Sequence, residues 1–95
     1  MRDTPYSADL VGRRIRALIT YMDVGKSEFG RIVGYTPQQV NAVTLGHHLP
    51  NPAVVYKIYL VTSVTSDWTI YGLAKGLSDL RTCDRIRLLQ FEEEA

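Results

Sequence analysis

The chain has 95 residues, 45% hydrophobic and 22% charged, with a net charge of +1, the length of one domain and a globular rather than a disordered composition. So small a net charge excludes binding by bulk electrostatics alone, and the single cysteine, Cys83, excludes an internal disulfide scaffold. No apolar run approaches the ~20 residues of a membrane span, and residues 1–9 carry no signal-peptide pattern, so the chain reads as soluble and cytoplasmic. The charge is uneven: Arg13, Arg14, Arg16, Lys26 and Arg31 make the first third basic, and Glu92, Glu93 and Glu94 close the chain.

Leu10, Val11, Ile15, Leu18, Ile19 and Met22 recur at helical spacing and predict a first helix with one apolar stripe. Thr4-Pro5 or Ser7 can cap it, Arg13, Arg16 and Thr20 form its wet face, and Asp23-Val24-Gly25 breaks the pattern. A short second helix fits 26–33, with Phe29, Ile32 and Val33 inward and Gly34 as its stop. Gly30, in its middle, costs about 1 kcal/mol relative to alanine. The turn Gly34-Tyr35-Thr36-Pro37 leads straight into a third helix. Thr36 suits its N-cap, Pro37 its first position, and Gln39 is spaced to close a capping box. Val40 and Val43 pin this helix and Gly46 ends it. After the loop 47–52, a fourth helix is predicted over about 53–61, burying Val54, Val55, Ile58 and Val61. Its Val, Ile and Tyr content would suit a strand, but the alternation a strand needs is missing. Thr65 or Ser66 caps a fifth short helix that carries Trp68 into the core and ends at Gly72. A last amphipathic helix is expected over 78–92, with Leu80, Cys83, Ile86 and Leu89 on one side.

The second and third helices carry the function. Two helices joined by a tight glycine-containing turn, the second opening polar, form the helix-turn-helix pattern. The first helix braces across the DNA backbone, and the N-terminal residues of the second reach base edges in the major groove. Here Gln38, Asn41, Ala42 and Leu45 share the face opposite Val40 and Val43. Gln and Asn can bond N6 and N7 of adenine, and Ala42 can touch a thymine methyl. Gln39 has two roles open, cap or base contact. Arg13 is the helix-1 arginine best placed by sequence to meet phosphate.

The ordered series Val11-Gly12-Arg13-Arg14-Ile15-Arg16, Glu28-Phe29, Val33-Gly34-Tyr35-Thr36, Val40, Val43, Gly46, Leu49-Pro50-Asn51-Pro52, Lys57-Ile58, Asp67-Trp68 and Gly72 resembles the Cro and repressor-type helix-turn-helix domains of phages and bacterial regulators. The resemblance covers roughly residues 10 to 73. It implies an all-α, compact five-helix domain over 1–73 with a C-terminal helical extension over 74–95. It further implies a homodimer that binds palindromic operator DNA. The implied base readers are Pro37, Gln38, Asn41 and Ala42; the implied phosphate contacts are Lys26, Thr36, His47 and His48. The sequence departs from the pattern at Gly25, Gly30, Thr44 and Leu45, and neither Pro37 nor Ala42 supplies an amide or guanidinium. The dimer surface is expected on the fifth helix and extension, around Tyr71, Leu73, Leu77 and Leu80.

Other chemistry has little support. The adjacent His47 and His48 lack a metal-ligand spacing, Cys83 has no base and orienter set beside it, and the scattered tyrosines form no stacking platform. No cofactor, metal, membrane or enzymatic activity is therefore expected. A second reading is an antitoxin-like interaction module that holds a toxin-like partner protein through the segment after Gly72.

Overall fold

The structure is a computed structural model describing residues 6–95. Its described residues form α-helices and one 3-10 helix, with no strand: α1 (Ala8–Met22), α2 (Lys26–Val33), α3 (Pro37–Thr44), α4 (Pro52–Thr62), α5 (Ser66–Thr69), a 3-10 helix (Ala74–Leu77) and α6 (Thr82–Glu94). The radius of gyration is 12.1 Å, as expected for a folded chain of this length at ~12 Å, so α6 is packed against the rest. No helix of the described residues is long and apolar enough to cross a membrane.

The termini of these helices follow from local chemistry. Ser7 caps α1, its hydroxyl accepting from the Leu10 N–H; the alternative cap Thr4-Pro5 lies outside the described residues. Asp23, in the left-handed region at φ 58°, ends α1. The α3 capping box is complete. The Gln39 N–H donates to Thr36 Oγ1 at 3.2 Å, and the Thr36 N–H donates to Gln39 Oε1 at 2.8 Å. Asn51 caps α4 by a single bond, its side-chain Oδ1 accepting from the Val54 N–H at 2.9 Å. Thr65, rather than Ser66, is the N-cap residue of α5.

The core is a single cluster. Val11, Ile15, Leu18 and Ile19 of α1 meet Phe29 and Val33 of α2, Val40 and Val43 of α3, Val54 and Ile58 of α4, and Trp68 of α5. Close backbone approaches explain two of the glycines. A Cβ on Gly30 would lie 2.7 Å from the Tyr35 carbonyl oxygen and 3.2 Å from Val40 Cγ2. The missing side chain that weakens α2 thus lets the turn and α3 close against it. A Cβ on Gly76 would lie 2.3 Å from the Trp68 backbone nitrogen, so glycine there lets the 3-10 helix lie against α5.

The C-terminal third departs from expectation. The last helix begins at Thr82 rather than Ser78. Leu77 and Leu80 enter the core from the 3-10 helix and the segment after it. The inward face of α6 runs through Asp84, Leu88 and Phe91, while Cys83, Ile86 and Leu89 face solvent. The rotation follows from what holds the helix. Leu88 is fully buried, Arg87 sits over the Tyr21 ring at 4.9 Å, and α1 grips the C-terminal end. In α4, Val61 is exposed and Thr62 buried instead, its hydroxyl donating to the Ile58 carbonyl at 2.7 Å.

Candidate nucleic-acid interface

The exposed side of α3 presents Pro37, Gln38 and Asn41, with Ala42 half-buried beside them. Leu45, the residue after the last turn, is 58% exposed at the far end. The helix is held from behind by Val40 and Val43, and Thr44 is buried with its hydroxyl donating to the Val40 carbonyl at 2.9 Å. These contacts fix the rotation of α3 and hence which side chains reach outward. Of the two roles open to Gln39, the structure fills capping.

Lys26, at the start of α2, is brought to the same face, its Nζ donating to Asn41 Oδ1 at 3.4 Å. His47 and His48 are exposed in the loop after α3. A shallow groove of about 310 Å³ runs beside α3, lined by Gln38, Gln39, Ala42, His48, Tyr35 and Asn51 among others. Lys57 of α4 lies across Gly34, at the turn leading into α3. Between Arg31 and Lys57 the sequence contains no Lys, Arg, Asp or Glu. The face is therefore polar and nearly uncharged, flanked by two lysines.

The arginines of α1 do something the sequence did not reveal. Arg13 is not placed to meet phosphate: its Nε donates to the Glu92 carbonyl at 2.7 Å and its Nη2 to the Glu93 carbonyl at 3.1 Å. Arg16 Nη1 donates to the Thr44 carbonyl. Arg14, 5% exposed, donates from Nη1 to the Ile70 carbonyl at 3.2 Å, and its Nε lies 3.6 Å from Glu92 Oε2. Burial pushes the Arg14 pKa down, and the Glu92 carboxylate opposes that shift. Carbonyls at helix C-termini lack intrahelical partners and carry the negative end of the dipole. Three arginines within four residues thus satisfy the carbonyl ends of three other helices: α3, α5 and α6. A sequence pass sees only charges on a wet helical face.

The expected dimer surface needs correction. Leu77 is 1% exposed and Leu80 8% exposed; both are core, so neither can meet a partner. Tyr71 and Leu73 are exposed. The larger apolar feature lies between α4 and α5, a groove of about 610 Å³ lined by Leu49, Val55, Tyr56, Tyr59, Ile70 and Tyr71 among others, with no charged lining residue. Tyr56 and Tyr59 are exposed. The available signal was that α4 is apolar on nearly every side with only Lys57 charged, and such a helix seeks cover on both faces.

Comparison with known protein families, with curated proteins and with solved structures found no match.

Proposed function

We propose that the chain is a helix-turn-helix protein that binds double-stranded DNA sequence-specifically and regulates transcription by occluding an operator. The observation that carries this reading is the α3 face. It is an exposed pair of amides, Gln38 and Asn41, with half-buried Ala42 beside them, on a helix whose N-terminus is closed by a full capping box and whose rotation is set by buried Val40 and Val43. That is the build a recognition helix needs: rigid behind, short polar groups in front. Thr36, Lys26 and the His47-His48 loop flank it as phosphate contacts, which set register. No chemistry is required of the protein, which acts by binding in the cytoplasm of a bacterial host.

The groove between α4 and α5 supports a second copy as partner. Leu49, Tyr56, Tyr59, Leu60 and Tyr71 are all exposed there or one turn away, a contiguous apolar surface of the kind that marks an interaction site. Tyr56 is part of the groove wall and Leu60 lies one turn beyond it, so a two-fold axis would set this apolar face of each copy against the other's. Leu49 borders both this groove and the one beside α3, so the partner would abut the DNA face without covering it. The two recognition helices of such a dimer would sit ~34 Å apart on a palindromic site.

Fluorescence anisotropy against duplexes tiled across the DNA upstream of the protein's own gene, at two salt concentrations, tests the reading. One tile bound ~10³-fold tighter than the rest, with that preference lost in Gln38→Ala and Asn41→Ala, supports it. Equal, weak binding to every tile argues against autoregulation. Capture of a stoichiometric different protein from native cells by a protein indifferent to DNA would favour the antitoxin-like reading.

A further inference from the structure

Resting on that DNA-binding reading, we infer that the α3 face selects A·T base pairs, through Gln38 and Asn41 on adenine and Ala42 and Leu45 on thymine methyls, and lacks any reader for guanine. Major-groove chemistry divides the bases by what they offer. Guanine presents two acceptors and is read by Arg or Lys; adenine presents one donor and one acceptor and is matched by an amide; thymine presents a methyl. The α3 face holds no guanidinium or ammonium of its own, because the chain is uncharged between Arg31 and Lys57. Its three exposed polar side chains are all amides, Gln38, Gln39 and Asn41, and the Gln39 side-chain carbonyl is taken by the capping box. Beside them stand the Ala42 methyl and the 58% exposed Leu45. Leu45 puts an apolar side chain on an otherwise polar face, and in the major groove the thymine methyl is its apolar match.

Lys26 sharpens the amide's role. Its Nζ donates to Asn41 Oδ1, which fixes the end of the amide facing α2. Oδ1 keeps a second lone pair for the adenine N6–H, and Nδ2 is left to donate to N7. Lys26, the one cation among the described residues bonded to α3's outer face, is thereby tied to orienting Asn41 rather than to a guanine edge. Gln39 is held by the Thr36 backbone and adds no reader. Gln38 and Asn41 are three residues apart and Ala42 and Leu45 likewise, so along this face the two amides come first and the two apolar side chains follow.

Selection of bound duplexes from a random pool, followed by atom-level substitution in the winning site, tests this. The expected site is A·T at the positions under α3. Replacing the contacted adenine by 7-deazaadenine should weaken binding roughly 5- to 100-fold, and Asn41→Ala should abolish that sensitivity. Replacing contacted thymines by uracil should cost about 4-fold per methyl, and Leu45→Ala should remove the loss at its position. Lys26→Met should reduce the 7-deazaadenine effect while leaving the uracil effect in place. A tightly bound pool with G·C pairs under α3, or indifference to both substitutions, overturns the inference while leaving DNA binding intact. Failure to enrich any duplex overturns the DNA reading itself, and this inference with it.

Discussion

Gly12→Ala sets helix propensity against packing, and the structure decides the sign. In an isolated helix, alanine is favoured over glycine by about 1 kcal/mol. Gly12, however, lies where α1 presses on the end of α3. A Cβ there would sit 2.7 Å from the Val43 carbonyl oxygen, 3.0 Å from that of Thr44 and 3.3 Å from the Gly46 nitrogen. Comfortable carbon–oxygen contacts begin near ~3.3 Å, so the two helices must part by roughly half an ångström. All three neighbours are backbone atoms, with no rotamer to yield. Overpacking of this kind costs about 1–3 kcal/mol. The Arg16 bond to the Thr44 carbonyl spans the same contact, and its weakening adds about 1 kcal/mol. The expected outcome is a net destabilisation of about 1–3 kcal/mol, a fall in melting temperature of about 4–8 °C for each kcal/mol, read by urea and thermal unfolding. Gly25→Ser is the control: no atom lies within 4 Å of a Cβ at Gly25, and a serine N-cap should stabilise by about 0.5 kcal/mol. A Gly12→Ala protein that melts at or above the parent would refute the close α1–α3 contact, and with it the account of how α3 is held.

Thr36→Ala removes one half of the capping box and should cost about 1 kcal/mol in unfolding experiments, with amide exchange accelerating first at Gln38 and Gln39. Arg14→Ala strips the Ile70 carbonyl and Glu92 of their shared partner. Since Glu92 is 25% exposed and reaches water, about 2 kcal/mol is expected, below the 3–5 kcal/mol of a fully buried pair; an unchanged denaturation midpoint would contradict that. Tyr56→Asp with Leu60→Glu should leave the unfolding free energy of the monomer within about 0.5 kcal/mol of parent, as exposed sites do, yet shift sedimentation toward the monomer. An unchanged sedimentation profile would remove the α4–α5 groove as the dimer face.

Helix positions up to residue 46 were legible because each rests on a local rule. The α1 stripe follows from spacing, the α2 stop from Gly34 at φ 84°, and the α3 start from the Thr36-Pro37-Gln39 signature. The amide face of α3 was legible for the same reason: once Val40 and Val43 are inward, Gln38 and Asn41 must be outward. What the sequence hid was long-range. Leu80 reads as part of the stripe of a terminal helix and Leu77 as dimer surface, but a 3-10 turn fitted against Trp68 through Gly76 takes both into the core first. The face of α6 then follows from Leu88 and from arginines 70 or more residues away in sequence, which no periodicity encodes. Arg13, Arg14 and Arg16 look like a solvated face because their acceptors are backbone carbonyls, which leave no mark in a sequence.

That use of arginine changes what the basic N-terminal half means. Of the cations in the first third, Arg13, Arg14 and Arg16 are committed to helix C-termini, and Arg31 is paired with Glu28. Lys26 and, from α4, Lys57 are the cations placed beside α3. A DNA-binding protein that neutralises ten phosphates shows a slope of log affinity against log salt near −9, since each contact contributes about −0.9. Two lysines per protomer give roughly −2, or roughly −4 for a dimer. Such a protein would bind modestly in low salt but lose little on moving to physiological salt. Its discrimination would then come from amide and methyl contacts, which salt does not screen. A measured slope steeper than about −6 for the dimer would mean that the α1 arginines leave their carbonyls on binding. Arg13→Ala would then flatten the slope, whereas arginines that stay on their carbonyls predict no change.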